Sequence, residues 1–135
     1  MPLFTWTEDL SVGIAEFDAH HRRLVELINE LHEAGSGGLP RVDLGRVLLS
    51  LSHYIIYHFL AEEEVMHRWQ YPEAESHRRE HMLLTEKTLG FVAAFHRGDE
   101  NITKDLLVFL VSWLQNHIRT VDKKYQAFLT AKGVH

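Results

Sequence analysis

Apolar residues recur every three or four positions in four long stretches of this chain, the spacing that places side chains on one face of a helix. The first two stripes are Phe17, His21, Leu24, Ile28 and Leu31, and then Leu44, Leu48, Leu51, Ile55, His58, Glu62, Val65 and Trp69. The other two are Ala74, His77, His81, Leu84, Thr88, Phe91 and Phe95, and then Ile102, Leu106, Leu110, Trp113 and His117. Because no stretch alternates apolar and polar residues as a half-buried strand would, the pattern predicts an all-α fold.

Three breaks separate the predicted helices, at residues 35–40, 70–72 and 97–101, and each contains glycine or proline. Long amphipathic helices with short connections are typical of an antiparallel up-down-up-down four-helix bundle. Residues 1–16 are predicted to lie across this bundle as an apolar N-terminal arm, and a short C-terminal helix is predicted after Asp122. We expect residues 1–135 to form a single domain. The apolar residues of the arm are Trp6, Leu10, Val12 and Ile14.

The composition narrows the possible partners and locations. With 135 residues, 45% of them hydrophobic, one domain can bury a core without cross-links. The lack of cysteine excludes disulfides and thiolate metal ligands, and a net charge of −5 argues against nucleic acid as a partner. No apolar run reaches the roughly 18 residues of a membrane span, and residues 1–6 do not begin a secretory signal. We therefore expect a cytoplasmic protein with no membrane insertion.

Histidine is the residue in excess, with 11 copies scattered along the chain. Five of them occupy stripe positions that would ordinarily hold leucine or isoleucine, and Glu62 does the same. Buried imidazoles and a buried carboxylate need partners, because an unpaired charge in a core is costly. A metal ion supplies such partners, and histidine is the commonest transition-metal ligand. The stripe histidines are His21, His58, His77, His81 and His117, whereas His20, His32, His53, His67 and His96 fall off the stripes.

The topology of the predicted bundle brings the stripe histidines to one end, since they lie early in the first and third helices and late in the second and fourth. Asp122 follows His117 by five residues, which is roughly 140° around a straight helix. We therefore expect the fourth helix to break near residues 119–121, so that Asp122 can turn back towards the histidines.

Counting ligands indicates what such a site can do. Two octahedral metal ions offer twelve coordination positions. If Glu62, Asp122 and one oxide or hydroxide bridge the ions, the bridges fill six positions and five histidines fill five more. One position then stays open for a small exogenous ligand. Imidazole and carboxylate suit iron, although the spacing alone leaves manganese open.

The possible ligands stand in a fixed order with characteristic companions, and by these residues the chain resembles the bacterial hemerythrins over nearly its whole length. The departure is His20, where glutamine or glutamate is expected, so that His20 and His21 are alternative ligands, of which the stripe favours His21. The residues that carry the resemblance are Trp6, Phe17, Asp18, Ala19, His20, His21, Tyr54, His58, Phe59, Glu62, Glu63, Met66, Tyr71, Pro72, His77, His81, Trp113, Leu114, His117, Ile118, Asp122 and Tyr125.

The resemblance implies a di-iron centre that binds O2 reversibly, as a hydroperoxide at one iron, and that accepts other small ligands such as azide or nitric oxide. It implies that His77, His81 and His117 hold the coordinatively full iron. His21 and His58 would hold the iron that takes O2, and Glu62 and Asp122 would bridge the two. As neighbours of His58 and His117, four apolar residues are expected to line the O2 side of the site: Phe59, Trp113, Leu114 and Ile118.

Three functions remain open for such a site. The first is an O2 carrier, store or delivery module, whose recipient would be an unidentified O2-consuming enzyme. The second is a di-iron oxidase or peroxidase, and the third is a sensor of O2, nitric oxide or iron. Residues 77–81 also fit the His-x-x-Glu-His pattern of zinc proteases, but the chain lacks the size and cleft of one. Because no acid or base remains on a stripe to cleave the O–O bond, we favour O2 binding over an enzyme.

Overall fold

The computed structural model describes residues 3–37, 40–98 and 102–135, and these residues contain helices and no strand. A short 3-10 turn, Glu8–Leu10, precedes the bundle. The helices are α1 (Ala15–Ser36), α2 (Arg41–Arg68), α3 (Ala74–His96), α4 (Ile102–His117) and α5 (Lys123–Ala131), with a π-helical turn, Ile118–Asp122, between the last two. The all-α prediction is confirmed. Residues 38, 39 and 99–101, in two of the predicted breaks, lie outside the described residues.

The four long helices pack as an antiparallel bundle, because α1 and α3 each lie against both α2 and α4. Their apolar stripes meet along the axis, where residues such as Leu31, Leu51 and Leu106 are almost fully buried. Such a closed arrangement of amphipathic helices buries every stripe at once. No helix in the described ranges is both long and apolar enough to cross a membrane.

The N-terminal arm is anchored to α1 by side chains that replace missing backbone partners. Asp18 accepts hydrogen bonds from the Val12 N–H and the Ser11 hydroxyl, at 2.8 and 2.5 Å. Further out, the Asn29 amide accepts from the N–H of Phe4 at 2.9 Å and donates to its carbonyl at 2.8 Å. These bonds hold the apolar side chains of the arm in the core. The buried ones are Phe4, Leu10, Val12 and Ile14, whereas Trp6 is only half-buried.

The expected break after α4 is instead a wide, continuous turn. The backbone of Ile118–Asp122 is π-helical and leads directly into α5. Since π-helical hydrogen bonds join residues five apart, this turn brings His117 and Asp122 onto one face without interrupting the helix. Arg119 lies within the turn, and its guanidinium pairs with Asp9 of the arm at 2.9 Å. The predicted return of Asp122 occurs, but by widening of the helix and not by breakage.

Two further positions differ from the sequence interpretation. The second stripe does not continue to Trp69, whose side chain is 38% exposed. Its place is taken by Met66, which is fully buried four residues after Glu62. On the first helix, His20 falls off the stripe and yet is 7% exposed. Its burial results from contacts on the side of α1 that faces α2, and these contacts are part of the site described next.

Candidate metal centre

The five stripe histidines and both carboxylates are buried in one layer of the bundle, close to the loop between α2 and α3. None of these side chains is more than 4% exposed. They divide into two groups whose possible ligand atoms lie within 4.8 Å of one another. The four-residue group is His77, His81, His117 and Asp122, and the three-residue group is His21, His58 and Glu62. The five histidines thus divide into three and two, and each group contains one of the two carboxylates.

In the four-residue group, α3 and α4 point imidazoles at the carboxylate that the π-helical turn presents. Nε2 of His117 lies 2.9 Å from Oδ1 of Asp122, and Nε2 of His77 lies 3.0 Å from the same oxygen. Nε2 of His81 lies 3.4 Å from Oε1 of Glu62. The four-residue spacing of His77 and His81 on α3 places both rings on the same face.

In the three-residue group, α1 and α2 bring two imidazoles together above a glutamate. Nε2 of His21 and Nε2 of His58 are 3.0 Å apart, and Nε2 of His58 lies 3.1 Å from Oε1 of Glu62. His20 does not enter this group, because its Nδ1 faces the opposite side of the His58 ring. Of the two alternative ligands on α1, the geometry therefore favours His21.

Both carboxylates reach across the boundary between the groups. Oδ2 of Asp122 lies 3.3 Å from Nε2 of His21, while its Oδ1 faces the histidines of its own group. Oε1 of Glu62 lies between His58 and His81, which belong to different groups. The buried Tyr125 hydroxyl donates a hydrogen bond to Oε2 of Glu62 and so fixes this carboxylate in place. Each carboxylate is therefore within reach of both groups.

Several of these buried atoms converge without forming hydrogen bonds. Among the described residues, no hydrogen-bond partner exists for Nε2 of His77, His81 and His117, for either oxygen of Asp122, or for Oε1 of Glu62. The short distances between these six atoms therefore bring lone pairs together without hydrogen bonds. A buried polar atom without a partner is costly, and nitrogen and oxygen lone pairs that converge in this way fit metal ions. The donor set suits iron, because it has no sulfur and is rich in imidazole.

A second layer of side chains contacts the outer nitrogens of the histidines. Nδ1 of His81 and Nδ1 of His117 each lie 3.4 Å from a carboxylate oxygen, of Glu63 and Glu80 respectively. Nδ1 of His58 instead lies 2.9 Å from Nδ1 of His20. Such partners orient metal-binding histidines and set their tautomers. The pattern of apolar positions did not predict this role for His20, because a stripe identifies only side chains that point at the bundle axis.

Without metal, the neighbouring acids and bases of the cluster would shift one another's pKa values. Burial alone would raise the pKa of Glu62, but the neighbouring His58 and His81 hold it well below its usual range. The pKa of Asp122 is also held well below its usual range. Burial would raise it, and His117 is the main base that opposes this effect. Burial lowers the pKa of His81, yet Glu62 and Glu63 outweigh it and raise this pKa to about 9. Without metal, the two carboxylates would therefore stay ionised, and a protonated His81 would offset part of their charge.

An apolar cavity of about 10 Å³ lies along the bundle axis beside the cluster. Phe59, Trp113 and Leu114 line it, as do Leu24 and Ile55, one turn from His21 and His58 respectively. The Phe59 ring also stacks on His81 at 3.8 Å, and the Trp113 ring stacks on His117 at 4.2 Å. Three of the four residues expected at the O2 pocket therefore share one apolar cavity. The fourth, Ile118, is fully buried beside His117 but is not part of this lining.

Comparison with known proteins identifies the family. Residues 12–129 match the model of the hemerythrin HHE cation-binding domain. The chain belongs to the hemerythrin family. It is 36% identical to the bacteriohemerythrin of Stenotrophomonas maltophilia, over 93% of this chain and 80% of the relative. It is 32% identical to that of Methylococcus capsulatus, over 97% of this chain and all of the relative.

The fold agrees with this assignment. A crystal structure of wild-type hemerythrin superposes with a TM-score of 0.89 and 31% sequence identity, over 95% of this chain and 98% of the other. As a hemerythrin, the chain carries a cation-binding domain, and its two groups of buried histidines and carboxylates are able to hold metal.

Proposed function

We propose that this hemerythrin holds two iron ions and binds O2 reversibly as a single-domain carrier, store or delivery protein. His77, His81 and His117 would hold one iron, His21 and His58 would hold the other, and Glu62 and Asp122 would bridge them together with an oxide or hydroxide. When bound, the two irons supply the electrons that reversible O2 binding requires. Other small ligands, such as azide or nitric oxide, would compete with O2, and an O2-consuming enzyme would be the recipient.

The observation that carries this proposal is the convergence of five imidazoles and two carboxylates, six of whose inner atoms lack hydrogen-bond partners in the described part of the chain. Three histidines lie in one group and two in the other, so the second group has room for an additional ligand. The work of the protein residues is to hold this unequal arrangement and to keep water from it. Every carboxylate and imidazole in the cluster is buried, which supports that role.

The apolar surroundings favour a binding protein over an enzyme. All nine side chains that line the cavity beside the cluster are aliphatic or aromatic. An oxidase or peroxidase would need a positioned acid or base to move protons during O–O cleavage. The cavity residues can exclude water and protons, but they cannot supply them. This is the environment that preserves bound O2 and returns it unchanged.

A spectroscopic cycle tests the proposed function. We expect the purified protein to contain about two irons per chain, by the ligand count above. Its absorption spectrum after anaerobic reduction should change on exposure to air and return under vacuum, over repeated cycles. A single zinc per chain would contradict the metal assignment. A spectrum that changes once and does not return, with steady turnover of an added reducing substrate, would instead establish the enzyme.

Replacing Leu114 by alanine tests the O2 pocket. Leu114 is 5% exposed and precedes His117 by three residues, so its side chain covers the same face of α4. The substitution should cost roughly 2–5 kcal/mol of unfolding free energy if the void does not collapse. Because the void admits water and protons, the oxygenated protein should also decay faster to the oxidised form that does not bind O2.

Thermal unfolding and the decay rate of the oxygenated spectrum should be measured on the same preparation. Leu51→Ala enlarges the same cavity two helical turns before His58, and it is the matched control. It should lower stability while changing decay less. If Leu114→Ala lowers stability but leaves the decay rate at the wild-type value, Leu114 only packs the core.

A further inference from the structure

His20 makes the shortest contact between the second layer and a histidine of the cluster. Its Nδ1 lies 2.9 Å from Nδ1 of His58, and both rings are buried. The aromatic rings of Tyr54 and Tyr57 lie against His20, with centroids 6.0 and 5.3 Å from its own. His20 therefore has a defined position, enclosed between α1 and α2, and its ring meets the cluster at His58.

The chemistry of this contact determines where the protons lie. If Nε2 of His58 donates its lone pair to a metal, the single proton of the neutral ring must be on Nδ1. This N–H then donates to Nδ1 of His20, which must be unprotonated, so His20 carries its own proton on Nε2. A neutral imidazole is thus the acceptor for His58.

The other outer nitrogens have different partners. Those of His81 and His117 face the carboxylates of Glu63 and Glu80, and Nδ1 of His21 has no hydrogen-bond partner among the described residues. A carboxylate acceptor makes a histidine a more basic ligand than a neutral acceptor does. The two groups of the cluster therefore differ in second-layer charge as well as in ligand number.

We propose that His20 is a positioning residue, which holds His58 in its metal-binding tautomer and, as a neutral acceptor, keeps the metal of the His21/His58 group less electron-rich than the metal of the other group. This inference rests on the proposed function, because it takes His58 as an iron ligand. It makes the residue at position 20 a determinant of iron retention and of reduction potential, without contact to the iron.

Iron release to a chelator tests the positioning role. His20→Leu removes the acceptor but keeps an apolar side chain of similar bulk, and we expect iron to leave about 10–100 times faster than from wild type. His20→Gln restores an acceptor and should release iron within about threefold of wild type, which a purely packing role would not predict. His53→Leu, at an exposed position on α2, is the control and should behave as wild type.

The reduction potential of the iron pair tests the electronic role. His20→Gln and His20→Glu have the same shape and both accept from His58, so they differ only in the charge of the acceptor. We expect a more negative potential for His20→Glu, because an anionic acceptor strengthens His58 as a ligand for oxidised iron. Equal potentials for these two variants would overturn the electronic part.

Equal iron release from wild type, His20→Leu and His20→Gln would overturn the positioning part. The measurements of iron release and of reduction potential both require iron in the wild-type protein. If wild type and His53→Leu bind no iron, it is the proposed function that fails, so the two failures are distinguishable. Should His20→Leu not fold, the potentials of the two isosteric variants still decide whether His20 acts through His58.

Discussion

Replacing His77 by alanine is expected to remove at least one of the two irons from the purified protein. The His77 side chain is 2% exposed, and its Nε2 lies 3.0 Å from Oδ1 of Asp122 with no hydrogen-bond partner in the described residues. A site that loses an inner imidazole keeps fewer bonds to its metal, and water that enters the void is a weaker ligand than the imidazole it replaces. The iron-to-protein ratio by elemental analysis should therefore fall to about half of the wild-type value or less.

The same result is expected for each of the other proposed ligands, replaced singly by alanine. The chain offers matched controls on the same helices, since His96 on α3 and His53 on α2 are exposed. His96→Ala and His53→Ala should keep the full iron content. An iron content that is unchanged in His77→Ala but reduced in His96→Ala would refute the assignment of the cluster. The other ligands to be replaced are His21, His58, Glu62, His81, His117 and Asp122.

Removing iron with a chelator is expected to lower the melting temperature strongly. Ligands that bind only the folded state stabilise it, by about 4 kcal/mol at 1,000 times the dissociation constant. For a domain of this size that corresponds to a fall of roughly 10–20 °C on chelation. Differential scanning calorimetry of iron-loaded and chelated samples measures it directly. A melting temperature that chelation leaves unchanged would show that the cluster is held by protein contacts alone.

The difference in melting temperature between the iron-loaded and the metal-free protein depends on pH, because groups of the metal-free cluster titrate. The pKa of His81, raised from 6.5 to about 9, contributes stability that is fully present below pH 6.5 and is lost as the pH rises through about 9. The lowered pKa values of Glu62 and Asp122 contribute stability above their ordinary values of 4.5 and 3.8, and this is lost only in stronger acid. These three groups stabilise the metal-free protein most in mild acid, whereas His58, whose pKa burial lowers, has the opposite effect.

Iron binding has the opposite preference, because metal-bound imidazoles must be unprotonated and acid competes with the metal. The melting temperatures of the two forms should therefore converge as the pH falls towards the ordinary histidine pKa of about 6.5, and separate as it rises. Calorimetry of both forms between about pH 6 and pH 8.5 provides the comparison. If the difference between the two melting temperatures instead increased as the pH fell, the imidazoles would not be the ligands.

The bundle and the inner layer of the cluster could be predicted because both follow from helical periodicity. His58 and Glu62 replace apolar residues at stripe positions, and the stripe faces the axis whatever residue it holds. The position of each ligand along its helix then fixed which end of the bundle it reached. The N-terminal arm was predictable because apolar side chains such as Leu10 and Val12 are clustered ahead of the first helix, and both are buried.

His20 and the turn after α4 could not be predicted in this way. Burial of His20 depends on which ring of α2 lies beside it, and this is set by the rotation of two helices relative to each other, not by the pattern on one. After α4 the helix could either break or widen into a π-helical turn. Residues 118–122 contain neither glycine nor proline, which would have indicated a break. Both choices return Asp122 to the cluster, so the ligand pattern alone could not separate them.

The π-helical turn Ile118–Asp122 has a consequence for protein design. Idealised bundles are generated from straight helices of constant pitch, on which inward positions recur three, four or seven residues apart. His117 and Asp122 are related by five, an interval that such a blueprint does not contain. A designer who copied all seven side chains onto an ideal backbone would leave Asp122 facing the wrong side. The additional residue in the turn has to be transplanted along with the seven side chains, because it shifts the phase of every position that follows it in α5 by about 100°.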